Sequence, residues 1–160
     1  IAAISALPQA LTSVAAHKLE HSLEVQLPFL QTVLDDFKLV PLAVGDASAE
    51  EVAEVIDTLW GGPETLFVIS SDLSHFRSYQ NAQRIDHDTV QTILQMDALH
   101  THEQACGATP VNGFLLAARR HGLRPLLLDL CNSGDTAGDK QRVVGYASIA
   151  FCESGEDAIE

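Results

Sequence analysis

The chain has 160 residues, 46% of them hydrophobic, and a formal net charge of −13 from 22 acidic against 9 basic side chains. That length supports one well-cored domain over residues 1–160 rather than two. The acidic balance disfavours nucleic acid and anionic membranes as partners, because the few basic residues do not cluster. No apolar stretch approaches the roughly 20 residues needed to span a bilayer, and nothing at the start has the basic, apolar, small-residue order of a signal peptide. Cysteines at 106, 131 and 152 form neither an even set nor a Cys-x-x-Cys pair. That argues against a disulfide framework and a short zinc motif, and fits a reducing cytoplasm.

Residues 1–19 hold no sustained period: Ile1, Ile4 and Leu7 have helical spacing, and Pro8 interrupts it. The chain opens at Ile1 in what reads as mid-helix, which predicts that it is part of a longer polypeptide. Leu23, Leu27, Leu30 and Leu34 then repeat every three or four residues, so a helix with one apolar face is expected, started or kinked by Pro28. The run Leu39 to Val44, ended by Gly45-Asp46, reads as a strand made peripheral by Pro41. Ser48 and Glu51 have capping-box spacing, and the helix after them is expected to bury Val52, Val55, Ile56 and Leu59 before Gly61-Gly62-Pro63 stops it.

A buried strand is then expected over Thr65 to Ile69, delivering Ser70-Ser71-Asp72-Leu73-Ser74-His75 to a loop at its carboxyl end. Ligand sites in open α/β sheets lie at such ends. Residues 79–95 predict a partly exposed helix with Ile85, Thr89, Ile93 and either Val90 or Leu94 inward, and Asp97 to Gln104 a further short one. Thr109-Pro110 predicts a helix start with Thr109 as N-cap, Gly122 its stop, and Val111, Phe114, Leu115 and Ala118 its buried face. Leu126 to Leu128 and Val143 to Phe151 read as the last strands, joined by a small, polar loop over 132–140 that could border a site. The alternation predicts an α/β fold, a three-layer-like sandwich with a mixed or mostly parallel central sheet.

Three places carry groups capable of chemistry. Asp72 and His75 sit together in the central stretch. Glu20-His21 precedes a helix that fixes its orientation, and a carboxylate beside an imidazole sets its tautomer for metal binding or proton transfer; the same pair also serves as a helix cap or surface ion pair. Cys106 stands shortly before a helix start, where the dipole favours thiolate, and Gly107 permits close approach; a buried, inert thiol is the alternative. Cys131 and Cys152 fit that inert role. His17, His87 and His121 have weaker claims, and His100-x-His102 reads as solvent-exposed. A mixed imidazole, carboxylate and thiolate set suits iron, copper or zinc better than magnesium or calcium.

Glu20-His21-Ser22-Leu23-Glu24-Val25-Gln26-Leu27-Pro28-Phe29-Leu30, Val40-Pro41-Leu42-Ala43-Val44-Gly45, Ser70-Ser71-Asp72-Leu73-Ser74-His75-Phe76 and Cys106-Gly107 with Pro110 resemble successive motifs of the Memo-like proteins, in order and spacing over about residues 20 to 151. The bacterial and archaeal branch is the more similar. The resemblance implies a fold like that of class III, non-haem iron extradiol dioxygenases of the LigB type. It implies a metal pocket lined by Asp72, His75 and Cys106, with Cys106 a direct ligand and Glu20 and His21 in or beside the cleft. The implied cofactor is a divalent or redox metal ion, iron first, with copper or zinc as alternatives.

The family's domain also has an amino-terminal half with two further histidine ligands, which has no counterpart in these 160 residues. The resemblance therefore implies the carboxyl-terminal portion of a longer domain. Surfaces uncovered in such a portion predict self-association or association with the absent segment. Two functions follow as expectations: metal-dependent redox chemistry on an unidentified small substrate, or a module that binds a peptide or protein in the same cleft without turnover. A cysteine hydrolase using Cys106 and His75 is a third reading.

Overall fold

A computed structural model describes residues 1–136 and 138–153. The weakly periodic start forms a 3-10 turn, Ile4–Ala6, and one turn of helix, α1 (Val14–His17), capped where the Ser13 hydroxyl accepts from the Ala16 amide at 3.1 Å. A second 3-10 turn, Glu24–Gln26, leads into α2 (Leu27–Val33), with Pro28 in the first turn, where no helical amide is needed. The expected capping box begins α3 (Ala49–Leu59): Ser48 Oγ accepts from Glu51 N–H at 3.2 Å, and Glu51 Oε2 accepts from Ser48 N–H at 2.8 Å. Ala53 and Ile56 form the buried stripe of this helix.

The two apolar runs expected as early strands are not strands. Residues 39–44 and 65–69 pair with no other strand among the described residues. A ladder needs a neighbour, and neither run has one. The second run keeps the alternation of a strand all the same: Phe67 and Ile69 pack on the core beside Trp60, while Leu66 is 70% and Val68 44% exposed.

The sheet that does form has the order β1-β3-β2 and is antiparallel throughout. β1 (His75–Arg77) is followed by α4 (Tyr79–Leu94), α5 (Ala108–Arg120), β2 (Arg124–Asn132), α6 (Ser133–Thr136) and β3 (Val143–Cys152). The expectation of a mixed or mostly parallel sheet is corrected here, since every observed pair runs the other way. β2 and β3 follow each other across a connection whose described residues hold the one-turn α6, whereas parallel neighbours require a crossover of about a dozen residues or more. Part of the loop expected over 132–140 is thus helical, and Ala137 lies outside the described residues.

Two further expectations are corrected. No helix forms over 97–104; turns there are held by side chains, Asn112 bonding both the amide and the carbonyl of Leu99, and Gln104 Oε1 accepting from His100 and Thr101. The N-cap of α5 is Gly107, not Thr109, so Thr109 and Pro110 lie within its first turn. The core joins Leu73, Val90, Ile93, Leu99, Ala105, Ala108 and Leu115 with inward residues of β2 and β3. A neighbouring cluster of Ile56, Phe114, Ala117 and Ala118 locks α3 to α5, and Phe114 meets Phe151 of β3 edge-on at 4.9 Å. This packing fixes the start of α5 against the stretch that precedes β1.

Candidate metal centre

The residues between the 65–69 run and β1 are held by backbone bonds to two separate elements. Leu73 N–H donates to Gly145 O and Gly145 N–H to Ser74 O, both at 2.9 Å, tying the stretch to β3. On the other side, Cys106 N–H donates to Asp72 O at 3.2 Å, and Asp72 N–H donates to Cys106 Sγ at 3.3 Å. Ser71 Oγ accepts from Gly107 N–H at 2.9 Å, reaches Asp72 O at 2.8 Å, and lies 3.6 Å from Cys106 Sγ. Gly107 is required here because a Cβ at that position would fall 2.9 Å from Ser71 Cβ and 3.0 Å from its Oγ.

His75 begins β1 rather than lying in the expected open loop. Its partner is Val144, whereas Arg77 pairs with Val143, so Phe76 is an inserted bulge residue, and its φ of 55° is left-handed. A bulge beside a site re-aims the neighbouring side chain. The Phe76 ring is held by Arg142, whose guanidinium stands 4.9 Å from the ring centre. His75 Nε2 is 3.4 Å from Asp72 Oδ2, a long contact between two half-buried groups.

The result is that Asp72, His75 and Cys106 each offer a ligand atom, all within 4.8 Å of one another. Donors sharing one ion stand roughly 3 to 4.5 Å apart, given metal bonds of about 2.0–2.3 Å, so adjustments of a few tenths of an ångström seat them all. Thiolate, imidazole and carboxylate together suit iron, copper or zinc, and three protein donors leave a coordination position open. The residues present fit such an ion.

Glu20 and His21 are not in this group. Glu20 Oε1 accepts from Ser22 N–H at 2.8 Å, and that bond is the main cause holding its carboxyl below the usual range; His21 is exposed. Their segment nevertheless reaches the same stretch, because Gln26 Nε2 donates to Ser70 Oγ at 3.0 Å. His102 Nδ1 lies 3.2 Å from Cys106 O, a contact its exposed position did not suggest. His121 is occupied elsewhere, stacked on Trp60 at 3.6 Å and 3.0 Å from Asp57. Cys131 lies within β2, where burial first and then Asp129 raise its thiol, and Cys152 ends β3.

Three residues at the site were not anticipated from sequence. Ser71 stands in the sequence only as one of the serines around Asp72. Tyr146 of β3 stands in the field of Asp72, and burial, then that carboxylate, push its phenol up. Asp86 of α4 is 2% exposed and accepts from Ser74 N–H at 2.9 Å. Burial pushes its carboxyl up, against the opposing pull of Ser74 and His75. Its place on the inner stripe with Ala82, Val90 and Ile93 was readable from spacing, and only its charge hid it.

The fold and this cluster define an α/β protein in which a thiol, an imidazole and a carboxyl group stand close enough to hold one metal ion. The family model described as Memo-like protein matches residues 2–150, and the chain belongs to that family. Archaeal relatives described as MEMO1 family proteins agree: 37% identity in Methanosarcina mazei over 83% of this chain and 55% of the relative, and 37% in Archaeoglobus fulgidus over 92% and 62%. One from Sulfolobus acidocaldarius is 34% identical over 85% of this chain and 52% of the relative. The chain thus spans little more than half the length of the curated relatives it matches. No helix among the described residues is long and apolar enough to cross a membrane.

Proposed function

We propose that Cys106, His75 and Asp72 hold a divalent or redox metal ion, iron first, with copper or zinc as alternatives, in a dioxygenase-like cleft that acts on a small molecule. The observation that carries this reading is the convergence of three unlike donors from two separate stretches within 4.8 Å. When bound, the ion would supply Lewis acidity and, if iron or copper, electron transfer. The chain's own groups do the rest. His75 either binds the ion or, through the Nε2 that stands 3.4 Å from Asp72 Oδ2, takes and returns a proton. Ser71 and the Asp72 amide fix the sulfur. Glu20 and His21 would complete the site from a segment that the Gln26–Ser70 bond ties to the stretch leading to Asp72.

Metal analysis of the complete polypeptide beside Cys106→Ala tests the reading. About one ion per chain in the first and a marked loss in the second are expected; equal contents would remove Cys106 from the site. Three free thiols favour a reducing compartment, the cytoplasm.

A second reading, a non-catalytic module for a peptide or protein, is favoured by the unpaired runs at 39–44 and 65–69 with Leu66 and Val68 outward. These edges accept added strands, from a second copy or from polypeptide equivalent to the remainder of the longer relatives. Oxygen consumption with a panel of catechols separates the readings: sustained turnover excludes a purely binding role.

A further inference from the structure

Asp86 is a buried carboxyl group on α4 that faces the Ser74 amide and Gly145 of β3. Nothing in the ligand set uses it. Among the described residues it forms no ion pair with lysine or arginine. Burying a carboxyl in such a place is costly unless its hydrogen bonds serve a purpose.

The contacts define that purpose. Asp86 Oδ1 accepts from Ser74 N–H at 2.9 Å, one residue before His75. The Ser74 carbonyl is held by Gly145 N–H at 2.9 Å, so both ends of this residue's backbone are gripped. The Ser74 hydroxyl, fully buried, lies beside the carboxyl without making a hydrogen bond of good geometry, so the grip is through the backbone amide. The carboxyl rests directly on Gly145, where a Cβ would fall 2.0 Å from Asp86 Oδ2 and 2.4 Å from its Cγ. β3 therefore carries a glycine where an added methyl group would displace the acid.

We propose that Asp86 is a positioning residue for the metal centre, one that sets the His75 ring by fixing the Ser74 amide, with Gly145 as the space that admits it. The proposal rests on the reading of His75 as a metal ligand. Partners one step removed from a ligand commonly carry 10–100-fold of metal affinity. Asp86 does so through the backbone rather than through the imidazole itself.

The test compares zinc affinity, by chelator competition, in the complete polypeptide and in the variants Asp86→Ala, Asp86→Asn, Gly145→Ala and Cys106→Ala. Asn retains an oxygen acceptor for Ser74 and is expected within about threefold of wild type, whereas Ala is expected to lose about 10–100-fold. Gly145→Ala, which displaces the acid without deleting it, is expected to reproduce the loss, and to add less than about twofold in the Asp86→Ala background. If Asp86→Ala does not fold, Gly145→Ala against Asp86→Asn carries the comparison.

Wild-type affinity in Asp86→Ala, with affinity lost in Cys106→Ala, would overturn the proposal and leave the metal reading intact. If neither wild type nor Cys106→Ala binds zinc, the metal reading falls. Amide exchange in the metal-free protein then decides the positioning claim. Ser74 N–H should exchange at least about tenfold faster in Asp86→Ala than in wild type, and near the wild-type rate in Asp86→Asn. Equal rates would overturn it.

Discussion

Gly107→Ala isolates the close approach on which the cluster depends. The backbone of Gly107 has φ −92° and ψ 33°, accessible to alanine, so the substitution imposes no left-handed strain. Its added methyl would lie 2.9 Å from Ser71 Cβ, 3.0 Å from Ser71 Oγ and 3.3 Å from Ser70 O, the last a backbone atom with little freedom. Carbon contacts settle near 3.5–4.0 Å, so the start of α5 must retreat by roughly half an ångström or more. Such overpacking costs about 1–3 kcal/mol. Weakening the 2.9 Å Gly107–Ser71 bond adds about 0.5–1.5 kcal/mol. Against this, alanine lowers the entropy of the unfolded chain, worth about 0.4–1 kcal/mol.

The net expectation is a loss of about 2 kcal/mol by urea unfolding, or about 4–8 °C in Tm for a chain of this size. The loss should shrink to within about 0.5 kcal/mol when the substitution is made in a Ser71→Gly background, where the opposing Cβ is gone. Metal affinity should fall as well, because the retreat carries Cys106 away from Asp72. Gly107→Ala as stable as wild type, or equally costly in both backgrounds, would refute the steric argument.

Other expectations are simpler. Because burial raises the Asp86 carboxyl in the folded state, the native protein binds that proton more readily than the unfolded chain, whose aspartates titrate near about 3.9. The group's contribution is therefore full below that pH and is lost as pH rises through the folded pKa. The difference in unfolding free energy between wild type and Asp86→Asn should fall with rising pH across that window; parallel curves would contradict the burial argument. Ser48→Ala should cost about 1 kcal/mol of stability by loss of the N-cap of α3, measured by chemical denaturation, with metal content unchanged.

Much of this was legible because it is local. Ser48 and Glu51 declare a helix start by spacing alone, and Tyr79 to Leu94 declares its length by apolar period. The family resemblance carried by the four motifs implies that Asp72, His75 and Cys106 share a pocket, and the structure brings their ligand atoms within 4.8 Å of one another. What failed was non-local. The runs Leu39 to Val44 and Thr65 to Ile69 have strand composition, but composition cannot supply the neighbour a ladder requires, and the sheet's direction depends on such neighbours. Thr109-Pro110 misplaced a helix start by two residues because Gly107 can begin the helix without a side-chain cap. Asp86 gives no signal in the sequence because a carboxylate normally faces solvent, and its partner, the Ser74 amide, lies outside its helix. The resemblance also implies Glu20 and His21 in or beside the pocket; in the structure Glu20 accepts from the Ser22 amide, and their segment reaches Ser70 through Gln26.

The central claim is that one sulfur, from Cys106, joins His75 and Asp72 on a single ion. X-ray absorption of the zinc-loaded complete polypeptide measures this directly. The account predicts one sulfur at about 2.3 Å among nitrogen and oxygen neighbours at about 2.0–2.2 Å, with the sulfur shell absent in Cys106→Ala. A zinc shell of nitrogen and oxygen alone in the wild-type protein would contradict it.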